Sequence, residues 1–330
     1  IVSATCDSVD EVWTQPWGEK KEVRCRFNEL RVAMRQLDDD ARSLVIVFRV
    51  FDDGVGFRYE FPEQPNLDEV AIADELTEFA FAEDALAWWI PAFQPLRFEY
   101  LYSKTPISEM PTVHTPVTVQ QKDGVCLSLH EAALVDYASM TLANVGDATL
   151  KAELVPWSDD LKVRCKVPFA TPWRTIQVAD SPGELVTSSL ILNLNEPCKF
   201  ADTSWIRPGK YVGVWWEMHL GRSTWGSGAK HGATTANVKR YIEFAEKHGF
   251  DGVLVEGWNE GWDGDWMVNG EQINFTQPFP DFDIEEICRY AKSKGVYLIG
   301  HHETACAIQN YERQLVDAMS FYQRLGVPAV

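Results

Sequence analysis

The sequence lacks the features that mark several classes of protein. No run of about 18 uncharged apolar residues occurs, so no membrane-spanning helix is predicted. Basic residues are scarce, with 30 Lys and Arg against 49 Asp and Glu, and the net charge of −19 would repel phosphate backbones and anionic lipid. We therefore expect no nucleic-acid partner and no membrane span.

Cysteine patterning is also absent. The seven cysteines contain no CxxC pair and no zinc-type spacing, so we expect buried free thiols, with one or two disulfides as the alternative. The chain begins at Ile1 with neither Met nor a signal-like segment. Either a leader has been removed or the sequence is part of a longer one.

The composition present is that of a globular protein. A chain of 330 residues with 45% hydrophobic and 24% charged residues predicts two domains. Aromatic residues make up 12% and include 13 Trp. Indole faces can cover the apolar faces of sugar rings, although most Trp side chains belong to the core.

The first two hundred or so residues have the pattern of β structure. Strand-like runs flank Asp52-Asp53-Gly54, and Gly146-Asp147 is typical of a hairpin turn. Many short strands with turn signals and few helical periods predict a β-sandwich.

From Tyr211 the pattern changes to three repeats of apolar strand, polar loop and amphipathic helix. Asp283 and Glu286 predict a capping box on the second helix. The third helix carries apolar residues at Ile308, Tyr311, Leu315, Met319 and Tyr322. Uninterrupted apolar strands separated by helices predict a parallel sheet buried on both faces. The final segment "GVPAV" resembles the start of a fourth strand, so we expect about half of this domain to lie outside the sequence.

A barrel is favoured over a doubly wound sheet for two reasons. No glycine-rich phosphate motif follows the first strand, and each strand ends in a glutamate, Glu217, Glu256 or Glu303. In barrels the C-terminal rim of the strands is where chemistry occurs.

The segment "GVYLIGHHETAC" places His301, His302 and Glu303 at the end of an apolar strand. Their burial without partners would cost several kcal/mol, so they are either satisfied loop residues or functional ones. Adjacent residues on an extended backbone point in opposite directions, and a zinc site built on both histidines is therefore disfavoured.

The segment "VEGWNEGWDGDW" mixes carboxylates with Trp258, Trp262 and Trp266. Carboxylates accept hydrogen bonds from hydroxyl groups while indole faces cover C–H surfaces, which is the mixture a sugar pocket needs. We expect Glu256, at the end of the strand, to bind ligand. The later acidic residues of this segment are expected to be ordinary loop residues.

His130 and Glu131 interrupt an apolar strand of the first domain. A buried Glu needs a partner. Either a cation between the domains or an Arg would serve.

Several long motifs resemble glycoside hydrolase family 97, specifically its α-glucosidase branch. They include "TQPWGEKKEVR", "HEAALVDY", "NLNEPCKFADTSWIRPGKY", "KYVGVWWEM", "DGVLVEGWNEGW" and "GVYLIGHHET", and the resemblance covers nearly the whole chain. It implies an N-terminal β-super-sandwich over residues 1–207, with its start missing. It also implies a catalytic (β/α)8 barrel from residue 208, of which residues 208–330 hold the first three βα units, and a C-terminal β domain beyond.

The same resemblance implies an activity. It is that of an exo-acting glycoside hydrolase that releases glucose from α-glucosides such as malto-oligosaccharides, by calcium-assisted inverting hydrolysis. Retaining α-galactosidases of the family lack the glutamate of the third strand and are the first alternative, and a non-catalytic carbohydrate-binding protein is the second. Family members are mostly exported by Gram-negative bacteria, so a periplasmic or otherwise exported protein is expected.

Carried over by motif, the resemblance makes Glu303 the general base and His301 a sugar contact. Glu256 is then the hydroxyl-binding carboxylate, one of Trp215 and Trp216 is an aromatic wall, and Glu131 is the calcium ligand from the sandwich. The general acid and the other calcium ligands are expected beyond Val330. An inverting pair of carboxyl groups stands roughly 6.5–9.5 Å apart, with a water between them that the base deprotonates.

Overall fold

The computed structural model describes residues 1–37, 41–94 and 98–330 and divides the chain into two compact units, Ile1–Lys199 and Phe200–Val330. The predicted domain boundary, between residues 207 and 208, lies in the segment 195–210, which contains no helix or strand.

The first unit is built from antiparallel strands. These are β1 Ser3–Thr14, β2 Glu22–Arg35, β3 Ser43–Phe51, β4 Gly54–Phe61, β5 Glu69–Ile72, β6 Glu78–Ala80, β7 Leu86–Trp89, β8 Ser103–Pro106, β9 Val113–His114, β10 Val117–Gln120, β11 Cys126–Ala132, β12 Met140–Gly146, β13 Thr149–Leu154, β14 Val163–Lys166, β15 Phe169–Ala170 and β16 Trp173–Ala179. Two short helices follow, α1 Pro182–Thr187 and α2 Leu190–Leu194. A ten-stranded sheet runs in the order β1-β2-β3-β4-β16-β11-β10-β7-β8, with β15 paired to β4. A four-stranded sheet has the order β6-β13-β12-β9.

The two larger sheets pack face to face. Leu142 and Leu150 of the small sheet share a buried cluster with Val119 and Leu129 of the large one. Alternating inward apolar residues on two antiparallel sheets are the basis of a sandwich core. The predicted β-sandwich is thereby confirmed.

Tight hairpins set the strand register, as the turn signals predict. β3 and β4 are joined at Asp52-Asp53, with Phe51 paired to Gly54. At Gly54 the backbone has φ of +149°, and a Cβ atom would lie 2.3 Å from the carbonyl oxygen of Ile176. Only glycine fits there.

The second unit contains a three-stranded parallel sheet in which each strand is followed by helical structure. Its elements are β17 Tyr211–Val214, α3 Trp216–His219, α4 Thr235–His248, β18 Gly252–Val255, α5 Ile284–Ser293, β19 Tyr297–Ile299 and α6 Ile308–Leu325, and the sheet order is β17-β18-β19. Ala329 forms a parallel bridge with Ile299, in the position of a next strand. This is the start of a (β/α) barrel, as predicted.

Helix ends in this unit follow their capping signals. Thr234 accepts a hydrogen bond from the Asn237 backbone at the start of α4, and Gly249 ends the helix with φ of 70°. The Asp283 side chain accepts from the Glu286 backbone N–H at 2.9 Å, so the predicted cap of α5 is present. These caps fix where each helix begins, and with it the loops that join strand ends to helices.

No helix in the described ranges is both long enough and apolar enough to cross a bilayer. All seven cysteines lie in the described part of the chain and all are free. Cys25 and Cys126 are buried as expected and Cys165 and Cys288 are half-buried, but Cys6, Cys198 and Cys306 are exposed, so the expected burial is wrong for these three. Cys6 lies on the largely exposed strand β1, and the other two lie outside helices and strands.

Candidate active site

The C-terminal ends of the parallel strands border a cavity of about 430 Å³. Ligand pockets range over roughly 300–1,000 Å³, so the cavity is large enough for a small molecule. The lining residues are Trp215, His219, Thr224, Trp225, Gly226, Glu256, Trp262, Gly264, Trp266 and Glu303. All of them belong to the second unit.

The ends of the strands place the key side chains. Trp215 follows the last residue of β17, and Glu256 follows the last residue of β18. Glu303 lies in the loop after β19. Because neighbouring parallel strands end at the same edge, two of the three predicted rim glutamates meet in one cavity.

Glu256 is held by the loop that follows α3. Its Oε2 accepts a hydrogen bond from the Trp225 Nε1 at 2.8 Å, and its Oε1 lies 3.5 Å from the His301 Nε2. Burial raises the pKa of Glu256, the Trp225 hydrogen bond opposes that rise, and the charge of Glu303 adds to it. The two carboxylates are therefore electrostatically coupled.

His301 lies beside Glu256 as a neutral ring. Burial lowers its pKa, and the charge of Glu303 only partly opposes this. The backbone of His301 is fixed on both sides, since its N–H donates to the Tyr322 hydroxyl at 3.3 Å and its carbonyl accepts from the Trp258 Nε1 at 3.0 Å. His301 contacts Glu256 but is not among the described residues that line the cavity, so its role as a sugar contact stays a prediction.

His302 faces a different set of groups. Its Nδ1 lies 3.1 Å from the Tyr311 hydroxyl, and its ring stacks on Tyr322 with centroids 5.1 Å apart. Burial lowers the pKa of His302 to about 4, with a smaller contribution from His301. The two adjacent histidines thus have separate surroundings, as the alternation of an extended backbone predicts.

Glu303 lines the cavity and stabilises its own loop. Its Oε1 accepts from the Ala305 N–H at 2.6 Å. Ala305 and Cys306 have positive φ values of 44° and 63°, a tight turn that this hydrogen bond supports. Among the described residues, none forms a hydrogen bond with the other oxygen, Oε2, so that oxygen can meet a water or a substrate.

The aromatic wall is formed by more than one tryptophan. Of the two that the resemblance left open, Trp215 lines the cavity, whereas Trp216 begins α3 and is not among the lining residues that the structure describes. Trp225 and Trp262 stack with centroids 6.5 Å apart and an interplanar angle of 10°. With Trp266, four indoles border the cavity.

Sequence reasoning missed Trp225 and His219. Trp225 lies in the polar loop after the first strand, where no periodicity identifies a pocket residue. Trp262 and Trp266 carried a signal, because they alternate with acidic residues. Trp258, from the same segment, is only 2% exposed and belongs to the core.

Glu217 does not reach the cavity, so the expectation that all three strands deliver a carboxylate to the rim is wrong for the first strand. The chain turns into α3 directly after Trp215. This turn directs Glu217 toward α4, where its Oε1 accepts from the Asn237 Nδ2 at 2.7 Å.

Glu131 forms an ion pair inside the first unit. Its Oε2 lies 2.8 Å from the Arg174 Nη1, and its Oε1 accepts from the Met140 N–H at 3.0 Å. Arg174 is fully buried and also binds Glu75 at 2.6 Å and 2.7 Å. Burial raises the pKa of Glu131, while Met140 and Arg174 oppose the rise. Of the two partners that the sequence allowed, the structure has the arginine.

These contacts do not fit a calcium ligand. Both oxygens of Glu131 already accept hydrogen bonds, and a guanidinium beside them repels a cation. Within the described ranges, no group of three or more His, Cys, Asp or Glu residues could hold a metal ion. Calcium stays a prediction of the resemblance, without a ligand set in this part of the chain.

Two family models match the chain. Residues 1–197 match the glycosyl-hydrolase 97 N-terminal family, and residues 215–330 match glycoside hydrolase 97.

Curated relatives and solved structures agree with these matches. A retaining α-galactosidase of Bacteroides thetaiotaomicron is 24% identical over 97% of this chain and 50% of its own length. A probable retaining α-galactosidase of Streptomyces bingchenggensis is 27% identical over 84% of this chain and 40% of its own. The chain therefore spans half or less of the length of these curated relatives.

A solved structure is more similar. A family 97 enzyme from a Pseudoalteromonas strain, in complex with acarbose, is 50% identical with a TM-score of 0.94, covering 99% of this chain and 50% of that one. A variant of the Pseudoalteromonas enzyme in complex with panose matches equally well.

Proposed function

The chain belongs to glycoside hydrolase family 97, and we propose that the protein is an exo-acting α-glucosidase. In this proposal it releases glucose from α-linked oligosaccharides with inversion of the anomeric configuration. Calcium assistance and export to the periplasm belong to the same proposal.

One observation supports the proposal most strongly: Glu256 and Glu303 line the same cavity, among four tryptophans. Carboxylates that accept hydrogen bonds from hydroxyl groups, next to indole faces that cover C–H surfaces, suit a sugar ring. Glu256 and His301 bind hydroxyl groups of the terminal glucose, and Trp215 covers one face of it.

Glu303 acts as the general base. Its free Oε2 takes a proton from a water molecule as that water attacks the anomeric carbon from the side opposite the leaving group. The departing oxygen receives its proton from an acid that the described residues do not identify. Since Oε1 is tied to the Ala305 N–H, the orientation of the carboxylate is set before substrate binds.

Preference for glucose is supported by the more similar relative. The Pseudoalteromonas enzyme at 50% identity is described in complexes with acarbose and panose, and panose is a trisaccharide of α-linked glucose. The relatives called α-galactosidases are 24% and 27% identical.

A comparison of substrates tests the proposal. The full-length protein should hydrolyse p-nitrophenyl α-glucoside with a kcat/KM at least about tenfold above that for the α-galactoside, a difference of about 1.4 kcal/mol in transition-state binding. Binding of maltose without hydrolysis of any α-glucoside would instead identify a carbohydrate-binding protein. A chelator followed by calcium or magnesium would test the calcium requirement.

The second candidate is a retaining α-galactosidase, which both curated relatives favour. Such an enzyme needs a nucleophile only about 5–5.5 Å from the acid, and it leaves a covalent glycosyl-enzyme intermediate. Preference for the α-galactoside, together with a trapped intermediate, would establish it in place of the α-glucosidase.

A further inference from the structure

His231 connects the two ends of the long loop between β18 and α5. Its Nε2 lies 2.9 Å from the Gly257 carbonyl oxygen, directly after Glu256. Its Nδ1 lies 2.9 Å and 3.0 Å from the two carboxylate oxygens of Asp281, just before α5. The side chain of His231 is completely buried, whereas that of Asp281 is 44% exposed.

Both partners of His231 are acceptors. A carbonyl oxygen and a carboxylate can only receive hydrogen bonds, so the imidazole is the donor in each contact. Because a carboxylate is the acceptor, the contact with Asp281 is charge-assisted, which makes it stronger than a bond between neutral groups. The ring also packs edge-on against Phe279, with centroids 5.1 Å apart.

Gly257, whose carbonyl contacts His231, occupies a position that accepts only glycine. Gly257 has φ of +70°, and a Cβ atom there would lie 2.6 Å from the Trp225 carbonyl oxygen. The indole of the same Trp225 donates to Glu256. The loop before α4 thus holds Glu256 by its carboxylate and holds Gly257 by its carbonyl.

The Asp281 end is fixed independently. The Thr235 N–H donates to the Asp281 carbonyl at 2.9 Å, and the Asp283 N–H donates to the Thr235 hydroxyl at 2.7 Å. Since Asp283 caps α5, Asp281 is attached to a regular element. Through its contacts with both residues, His231 fixes the position of Gly257 relative to Asp281.

We infer that His231 is a positioning residue that sets the carboxylate of Glu256 for hydrogen bonding to the sugar. This inference rests on the proposed function, because it assumes that Glu256 binds substrate. If His231 only stabilised the fold, its substitution would lower the unfolding temperature. The effect of that substitution on kcat/KM would then be the same whether residue 256 is Glu or Gln.

A double-mutant cycle in the full-length protein separates these roles. His231→Ala should raise KM for p-nitrophenyl α-glucoside about tenfold and change kcat less than about threefold, because it loosens binding. In the Glu256→Gln variant, His231→Ala should change kcat/KM by less than about twofold. The carboxylate that His231 positions has already been replaced in that variant. Equal effects of His231→Ala in both backgrounds, or a lower melting temperature with KM unchanged, would overturn the inference.

Two further variants complete the design. Asp281→Ala removes one anchor at a partly exposed position and should raise KM in the same direction by about threefold, so it decides the matter if the His231 variant does not fold. His130→Gln, which loses a 3.0 Å contact to Thr115 in the first unit, is the control and should leave KM unchanged. If Glu256→Gln alone leaves kcat/KM unchanged, the assigned role of Glu256 fails. If instead the effects of His231→Ala and Glu256→Gln on kcat/KM are additive, only the role of His231 is rejected.

Discussion

The Trp225 Nε1 donates to the Glu256 Oε2 at 2.8 Å, across two loops that follow different strands. The hydrogen bond favours the charged form of a carboxylate whose burial favours the neutral one. Trp225 therefore contributes in two ways, as a cavity wall and as the group that keeps Glu256 ready to accept hydrogen bonds from a sugar.

Trp225→Phe keeps an aromatic wall and removes the donor. Because the pKa of Glu256 then rises further, the pocket should bind glucose about tenfold more weakly, the cost of one hydrogen bond to a charged group. Calorimetric titration with glucose measures the change. Trp13→Phe removes a comparable Nε1 contact, to the Asn193 Oδ1 in the first unit, and should leave the affinity unchanged. A normal affinity in the Trp225 variant would contradict the role of the hydrogen bond.

Glu303→Gln should lower kcat by about a thousandfold, the usual contribution of a general base. The amide oxygen can still accept the Ala305 N–H, so the melting temperature should not change. Steady-state kinetics and thermal unfolding test the two halves of this prediction. Glu260→Gln, at an exposed position of the neighbouring loop, is the matched control. Full activity in the Glu303 variant would eliminate it as the base.

His302 should make the protein sensitive to acid. Its folded pKa is lowered from 6.5 to about 4 by burial, so its contribution to stability is complete above the unfolded value. That contribution is lost as the pH falls from 6.5 toward 4, because in this range His302 is protonated in the unfolded chain and neutral in the folded protein.

His302→Phe keeps an aromatic ring against Tyr322 and removes this titration. The loss of unfolding free energy between about pH 7 and about pH 5 should be smaller in the variant than in the natural protein. Denaturant titrations at the two pH values measure it. His248→Gln, on the exposed side of α4, should keep the natural pH dependence. Equal acid sensitivity in the His302 variant would contradict the prediction.

Glu131→Ala leaves Arg174 buried with Glu75 as its remaining charged partner. Removal of one member of a buried ion cluster costs about 3–5 kcal/mol of unfolding free energy. Glu153→Gln is the control. It removes an ion pair in which Lys162 is 13% and Glu153 is 32% exposed, and it should lower the unfolding free energy by about 0–1 kcal/mol. If Glu131 acts through Arg174 alone, added calcium shifts the melting temperature of the variant and the natural protein equally. Loss of the calcium shift in the variant would restore the metal-ligand assignment.

The regular elements were predictable because their signals are local. Strand alternation, turn residues such as Gly54 and caps such as Asp283 depend on neighbours in sequence. The positions of Glu256 and Glu303 at strand ends followed from the same patterns, because parallel strands end at one edge.

The rest depended on contacts distant in sequence. Trp225 reaches Glu256 only through the path of its loop, and Arg174 meets Glu131 because β16 pairs with β11. On α6 the predicted apolar stripe is only partly buried: Tyr322 is 3% exposed, whereas Ile308 is 56% and Met319 is 41% exposed. Asn310 is buried instead, because its side chain donates to the carbonyls of Gly270 and Ile273 in the loop after β18.

Proton NMR of the first sugar released from an α-glucoside tests the central claim most directly. If Glu303 activates water for a single displacement, β-glucose appears first and converts to the α-anomer only by mutarotation. Initial release of α-glucose would require a double displacement and would contradict the role of Glu303 as the base of an inverting enzyme.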